Sequence, residues 1–123
     1  MDKRVLIVDD SAPIRSLVRT FIESRPGIKV CGEAADGLEG VEKGLELRPD
    51  VIILDFSMPL INGLQAALIL REMVPNTPII LFTIYKDDVI GRLAHNFGVA
   101  SVVSKTQLSV LADEVQRLTV SLN

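Results

Sequence analysis

The chain has 123 residues, enough for one compact domain and too few to divide into two well-buried ones. Apolar residues make up 48% and charged residues 24%, an ordinary balance for a folded soluble protein, and the net charge of −3, with lysines and arginines scattered, argues against a nucleic-acid-binding face. One cysteine, Cys31, excludes an internal disulfide, and no apolar run approaches the ~20 residues of a membrane span.

In chain order, Met1 to Arg4 followed by Val5-Leu6-Ile7-Val8 begins like a secretory signal, but Asp9 and Asp10 end the apolar part at once. A cytoplasmic location is the resulting expectation. The same run, apolar at every position, predicts a strand buried on both faces, as in a parallel sheet. Ser11 is a good N-cap and Pro13 suits a first helical turn. Ile14, Leu17, Val18, Phe21 and Ile22 then recur at helical spacing and predict an inward stripe that Pro26-Gly27 terminates.

Ile28 to Ala34 is a more polar strand, suited to a sheet edge, with Cys31 as a half-buried strand residue. Asp36-Gly37 opens a second helix, with Leu38, Val41 and Leu45 expected inward and Arg48-Pro49 at its close. Val51-Ile52-Ile53-Leu54 is a third strand and ends at Asp55. Asn62-Gly63 opens a third helix, with Leu64, Ala67, Leu68 and Val74 inward. Ile79-Ile80-Leu81-Phe82 is a fourth strand, ending at Thr83. Lys86 to Phe97 predicts a fourth helix with Val89, Leu93, Ala94 and Phe97 on one side. Val99 to Val103 predicts a fifth strand that ends near Lys105. Gln107 to Leu122 predicts a fifth helix built on Leu108, Leu111, Ala112, Val115, Leu118 and Leu122.

Strand and helix thus alternate five times. Right-handed crossovers make this an open, doubly wound five-stranded parallel sheet with helices on both faces, and flavodoxin-like order 2-1-3-4-5 is expected. In such a sheet ligands bind at the carboxyl ends of the strands, where the strand order reverses. Asp9, Asp10, Asp55, Thr83 and Lys105 all fall at those ends. Alone, each has an ordinary reading: an N-cap aspartate, a solvated lysine, a strand-end threonine. Together they form an acidic cleft with a hydroxyl and one compact cation beside it.

Three carboxylates in one cleft repel one another, and a divalent cation relieves this. Oxygen donors without cysteine or histidine favour Mg²⁺. With Lys105 and Thr83 added, the set suits a phosphoryl group in transfer to a carboxylate.

The acidic pair Asp9-Asp10, the segment Asp55-Phe56-Ser57-Met58-Pro59 with Gly63 four residues past the proline, Thr83 after a fourth apolar run and Lys105 after the fifth strand resemble the response-regulator receiver domain over essentially the whole chain. That resemblance implies a two-component signalling switch whose phospho-acceptor is Asp55. It also implies Mg²⁺ held by Asp9, Asp10, Asp55 and the backbone carbonyl of Ser57, with Thr83 as switch hydroxyl and Lys105 as the paired cation. The donor is a histidine kinase or a histidine phosphotransfer protein. Small phosphodonors substitute for it, and autodephosphorylation is expected rather than enzymatic turnover of a separate substrate.

The switch is expected to shift the face of the fourth helix, fifth strand and fifth helix, which also offers a homodimer contact. Lys86, Asp87, Asp88, Arg92 and His95 lie there as partner contacts, His95 being read as an ordinary exposed residue. Residues 1–123 are read as one receiver domain, either stand-alone or the front of a longer regulator with a DNA-binding output in transcription regulation. Direct nucleic-acid or membrane contact by this segment is not expected.

Three departures from the family pattern stand out. Val102 occupies the position where an aromatic switch residue is usual. Thr106, where proline is common, predicts a trans bond, because a cis non-proline bond costs about 3 kcal/mol. Ile84 is bulky where a small residue is usual and is followed by the bulky Tyr85, which could supply the missing ring. Two rival readings are a phosphorylation-independent, degenerate receiver and a Mg²⁺-dependent phosphohydrolase. The second lacks an acid at Ser57 and lacks a cap domain.

Overall fold

The computed structural model describes residues 2–120. Five strands form one parallel sheet: β1 (Lys3–Val8), β2 (Ile28–Ala34), β3 (Val51–Leu54), β4 (Ile79–Thr83) and β5 (Ser101–Ser104), in the order β2-β1-β3-β4-β5. Five helices alternate with them: α1 (Ala12–Glu23), α2 (Gly37–Leu47), α3 (Gly63–Met73), α4 (Asp88–Asn96) and α5 (Leu108–Val120). The expected topology is the observed one, and the polar β2 is an edge strand.

β1, β3 and β4 lie inside the sheet and are sandwiched between helices, which explains their unbroken apolar sequence. Side chains alternate between two cores. Val5, Ile7, Ile53 and Ile80 pack with Val18, Ile22, Leu111 and Val115 on the α1/α5 side. Leu6, Ile52, Leu54 and Leu81 pack with Leu64, Ala67, Leu70 and Ala94 on the other. A fully buried side chain of this size contributes about 1.5–3 kcal/mol. The central strands therefore form a stiff platform under the loops at their carboxyl ends.

The starts of α1, α2 and α3 follow the expected caps. Ser11 Oγ accepts from the Ile14 N–H, with Pro13 in the first turn. Asp36 caps α2, Asn62 and Gln65 form a reciprocal capping box on α3, and Asp87 caps α4. Arg48 ends α2 in the left-handed region at φ 45°. The Lys105–Thr106 bond is trans, as expected.

The inward faces differ from expectation in several places. On α1, Ile14, Val18 and Ile22 point inward, whereas Leu17 and Phe21 are exposed. On α2, Leu38 is exposed, and the buried line is Gly37, Gly40 and Gly44. A Cβ at Gly40 would come within 2.7 Å of Val8 Cγ1, and one at Gly44 within 2.7 Å of Leu70 Cδ2. The helix therefore approaches the sheet and α3 too closely for a larger residue.

Leu68 of α3 is exposed, while Ala66 and Leu70 take the inner positions. On α4, Val89 and Leu93 are exposed, and Ile90, Ala94 and Phe97 pack inward. α4 begins at Asp88 rather than Lys86, and β5 at Ser101 rather than Val99. On α5, Thr119 is buried, its hydroxyl donating to the Val115 carbonyl at 2.7 Å. The expected inward Leu122 lies outside the described residues.

Candidate functional site

β1 and β3 are neighbours, with Val8 opposite Leu54, so the residues that follow them emerge side by side. The Asp9 N–H donates to the Ala34 carbonyl at 3.0 Å, and the Asp55 N–H to the Val8 carbonyl at 2.9 Å. Both aspartates are thus fixed by main-chain bonds that extend the sheet by one residue. Asp9 and Asp55 are buried, and Asp10 is exposed at the rim. One carboxylate oxygen from each of the three lies within 4.8 Å of the other two.

Lys105 closes the cluster from the β5 side. Its Nζ donates to Asp9 Oδ2 at 2.8 Å and lies 3.1 Å from Asp55 Oδ1. The lysine is anchored at its own backbone, where its N–H donates to the Thr83 carbonyl at 3.0 Å. Asp9 Oδ1 accepts from the Ser11 N–H at 2.9 Å. The Asp9 carboxylate therefore has a donor on each oxygen.

Burial and the neighbouring Asp9 and Asp10 charges push the Asp55 carboxyl above the usual range, against the pull of Lys105. Burial works against the Lys105 ammonium, but its bonds to Asp9 and Asp55 outweigh that and raise its pKa above the ordinary lysine value. An acid held above its usual range beside a single shared ammonium is under-neutralised. The donor set is all oxygen, negatively charged and converging, which fits a small divalent cation such as Mg²⁺.

Thr83 ends β4 fully buried, and its hydroxyl oxygen accepts from the Tyr85 N–H at 3.1 Å. The Tyr85 ring meets the Phe56 ring edge to face, with centroids 6.0 Å apart. The two bulky residues flanking the site, one beside Asp55 and one beyond Thr83, thus lean on each other. Ser57 is exposed two residues past Asp55. The Gly63 N–H donates to the Phe56 carbonyl at 2.7 Å, and a Cβ there would fall 2.2 Å from the Asp55 carbonyl oxygen. Gly63 is therefore the residue that lets the loop fold back over the end of β3.

Of the six expected site residues, Asp9, Asp10, Asp55 and Lys105 bring their side chains together, whereas Thr83 meets Lys105 through its backbone carbonyl, with its hydroxyl turned to the Tyr85 N–H, and Ser57 is exposed beside them. Sequence reading missed Arg15 and Glu33. The Arg15 guanidinium donates from Nη1 to the Asp9 carbonyl at 2.6 Å and from Nε to Glu33 Oε1 at 3.0 Å. The available signal was an arginine on the first turn of the helix that follows the acidic pair. Its partner is on another strand and has no sequence signature.

A doubly wound sheet that gathers three carboxylates and a lysine at its carboxyl edge places an acidic cluster where open α/β sheets hold ligands. The model of the response regulator receiver domain matches residues 5–116, and the chain belongs to that family. It is 44% identical over 84 residues to a protein-glutamate methylesterase/protein-glutamine glutaminase of Thermotoga maritima, an alignment covering 68% of this chain and 24% of that protein. The chain therefore spans about a quarter of the length of that curated relative.

The response regulator domain of Thermotoga maritima CheB superposes with a TM-score of 0.87 at 33% identity, covering 98% of this chain and 96% of that one. A LuxR-family two-component response regulator from an Aurantimonas species gives 0.93 at 27% identity, covering 98% and 87%. No helix among the described residues is long and apolar enough to cross a membrane.

Proposed function

We propose that the chain is a phosphoryl-accepting switch of a two-component system, with Asp55 as acceptor. The observation that carries this is the meeting of Asp9, Asp10, Asp55 and Lys105 at the carboxyl edge of β1, β3 and β5. Asp9, Asp10, Asp55 and the Ser57 carbonyl would hold Mg²⁺, which supplies charge neutralisation for a phosphoryl group when bound.

The donor is a histidine kinase or phosphotransfer protein. An Asp55 carboxylate oxygen attacks phosphorus, the bond from phosphorus to the donor nitrogen breaks, and its electron pair leaves with the imidazole. Lys105, already beside Asp55, pairs with the phosphoryl oxygens. Thr83 donates its hydroxyl hydrogen to the same group. The contact between the Thr83 oxygen and the Tyr85 N–H is then exchanged, moving the β4–α4 loop.

The α4/β5/α5 face takes up the change. Val102 and Gly91 are small there and leave a groove of about 650 Å³ beside Arg92 and His95. Partner binding or homodimerisation at this face, a cytoplasmic location and a role as the front of a longer regulator, such as a transcription factor or an esterase, belong to the same proposal.

Intact mass after incubation with acetyl phosphate, with and without Mg²⁺, tests the reading. One Mg²⁺-dependent phosphoryl adduct on the native chain, absent from Asp55→Asn, is expected. No adduct from either acetyl phosphate or a phosphorylated histidine donor would instead identify a phosphorylation-independent interaction module.

A further inference from the structure

The Asp9 backbone is held on both sides by groups outside the acidic cluster. Its N–H is bonded to Ala34 of β2, and its carbonyl accepts from Arg15 Nη1 at 2.6 Å. Arg15 is itself fixed: its Nε donates to Glu33 Oε1 at 3.0 Å, and its side chain is only 18% exposed. Glu33 sits on β2 one residue before Ala34 and opposite Ile7 of β1. Arg19, one turn further along α1, holds the other Glu33 oxygen at 2.8 Å. Burial disfavours the Glu33 charge, but the bonds from Arg19 and Arg15 outweigh it and keep the carboxyl below the usual range.

The planar guanidinium thus bridges the end of β1 and the end of β2 with donors on different edges of one rigid group, which a lysine cannot reproduce. Arg15 carries positive charge towards a site built for a cation, and charge alone would make it a liability there. Glu33 cancels much of that charge, which leaves the geometric effect. With the Asp9 backbone pinned and the Ser11 N–H on Oδ1, the rotation of the Asp9 carboxylate is restricted.

We infer that Arg15, oriented by Glu33, is a positioning residue that presets the Asp9 carboxylate for a divalent cation. Groups of this kind behind a metal ligand fix its orientation, and their loss weakens binding. The inference rests on the Mg²⁺ reading of the cluster, and its test separates the two. Mg²⁺ binding to the unphosphorylated chain is measured by calorimetry and by the amide shifts of Asp9 to Ser11. The acetyl phosphate labelling rate is followed as a function of Mg²⁺.

Arg15→Lys and Glu33→Gln each raise the Mg²⁺ dissociation constant about tenfold. Their labelling rate recovers towards the native value at saturating Mg²⁺. Arg19→Ala, which loses a Glu33 partner but nothing at Asp9, leaves the constant within twofold. Far-ultraviolet circular dichroism confirms that each variant is folded, and Glu33→Gln keeps the test open should Arg15→Lys unfold.

Native binding with unchanged constants in Arg15→Lys and Glu33→Gln overturns the inference alone. So does an Arg19→Ala loss as large as theirs, which would make the effect general packing between α1 and β2. Tighter binding in Arg15→Ala would show that the guanidinium acts by charge, and would also overturn it. Failure of the native chain to bind Mg²⁺ overturns the metal reading and this inference together.

Discussion

Lys105 Nζ donates to Asp9 Oδ2 at 2.8 Å, across 96 residues of sequence, and so occupies a carboxylate that the proposed metal also needs. The lysine acts as the internal counter-ion of the cluster. Breaking a buried pair by removing one partner costs about 3 kcal/mol, because the remaining charge is left uncompensated. Lys105→Met should therefore melt well below the native chain without Mg²⁺. Added Mg²⁺ should raise its melting temperature more than it raises that of the native chain, since no ammonium then competes for Asp9 Oδ2. Differential scanning calorimetry with and without Mg²⁺ measures both; an equal Mg²⁺ shift in the two proteins would contradict the counter-ion account.

Asp55 carries the opposite sign. Burial and the neighbouring carboxylates raise its pKa, so its charged form is a cost to the fold. A group with a raised folded pKa binds its proton more readily folded than unfolded. For a carboxyl this means a penalty present above the folded pKa and relieved as the pH falls through it. Asp55→Asn should be more stable than the native chain at neutral pH without Mg²⁺, and the gap should close towards acid pH. Urea unfolding at several pH values reads this directly. The same variant should show a much reduced stabilisation by Mg²⁺.

Tyr85 is the only tyrosine, and the chain has no tryptophan, so intrinsic fluorescence reports on one ring. That ring packs on Phe56, and its own N–H is tied to the Thr83 hydroxyl oxygen. Phosphorylation, or a beryllofluoride mimic of it, should change the Tyr85 emission in the native chain. Thr83→Ala should abolish most of the change while still accepting phosphate. An unaltered signal in the native chain on stoichiometric labelling would show that Tyr85 does not follow the switch.

Gly63→Ala places a methyl 2.2 Å from the Asp55 carbonyl oxygen, and that backbone cannot give way without moving Asp55. Overpacking of this kind costs about 1–3 kcal/mol. Both the melting temperature and the labelling rate should fall, because the displaced atom belongs to Asp55. Loss of stability with a native labelling rate would show that the loop absorbs the clash elsewhere.

Leu60 adopts φ 75° and is highly exposed, a conformation that costs an L-residue roughly 1–2 kcal/mol. Leu60→Gly should raise stability by about 0.5–1 kcal/mol, the remainder being offset by the greater freedom of glycine when unfolded. Chemical unfolding measures it. A destabilised variant would mean that the Leu60 side chain packs more strongly than its exposure indicates.

Local sequence determined the strands and the ends where chemistry gathers. Unbroken runs such as Val5 to Val8 and Val51 to Leu54 must be buried on both faces, and a parallel sheet then brings Asp9, Asp10 and Asp55 to one edge whatever else the chain does. Caps at Ser11, Asp36 and Asn62 were legible because each satisfies donors within three residues.

The tertiary structure alone decided how wide each helix stripe is, because that depends on how the helix is rotated against the sheet. Leu17, Leu38, Leu68 and Val89 fit the helical period and yet face outward. Gly40 and Gly44 carry no hydrophobic signal and yet face Val8 and Leu70, because close helix packing selects for a missing side chain. The Arg15–Glu33 clamp on Asp9 was equally illegible. It joins a helix to the neighbouring strand through one planar guanidinium, and only the pairing of β1 with β2 puts its two ends within reach.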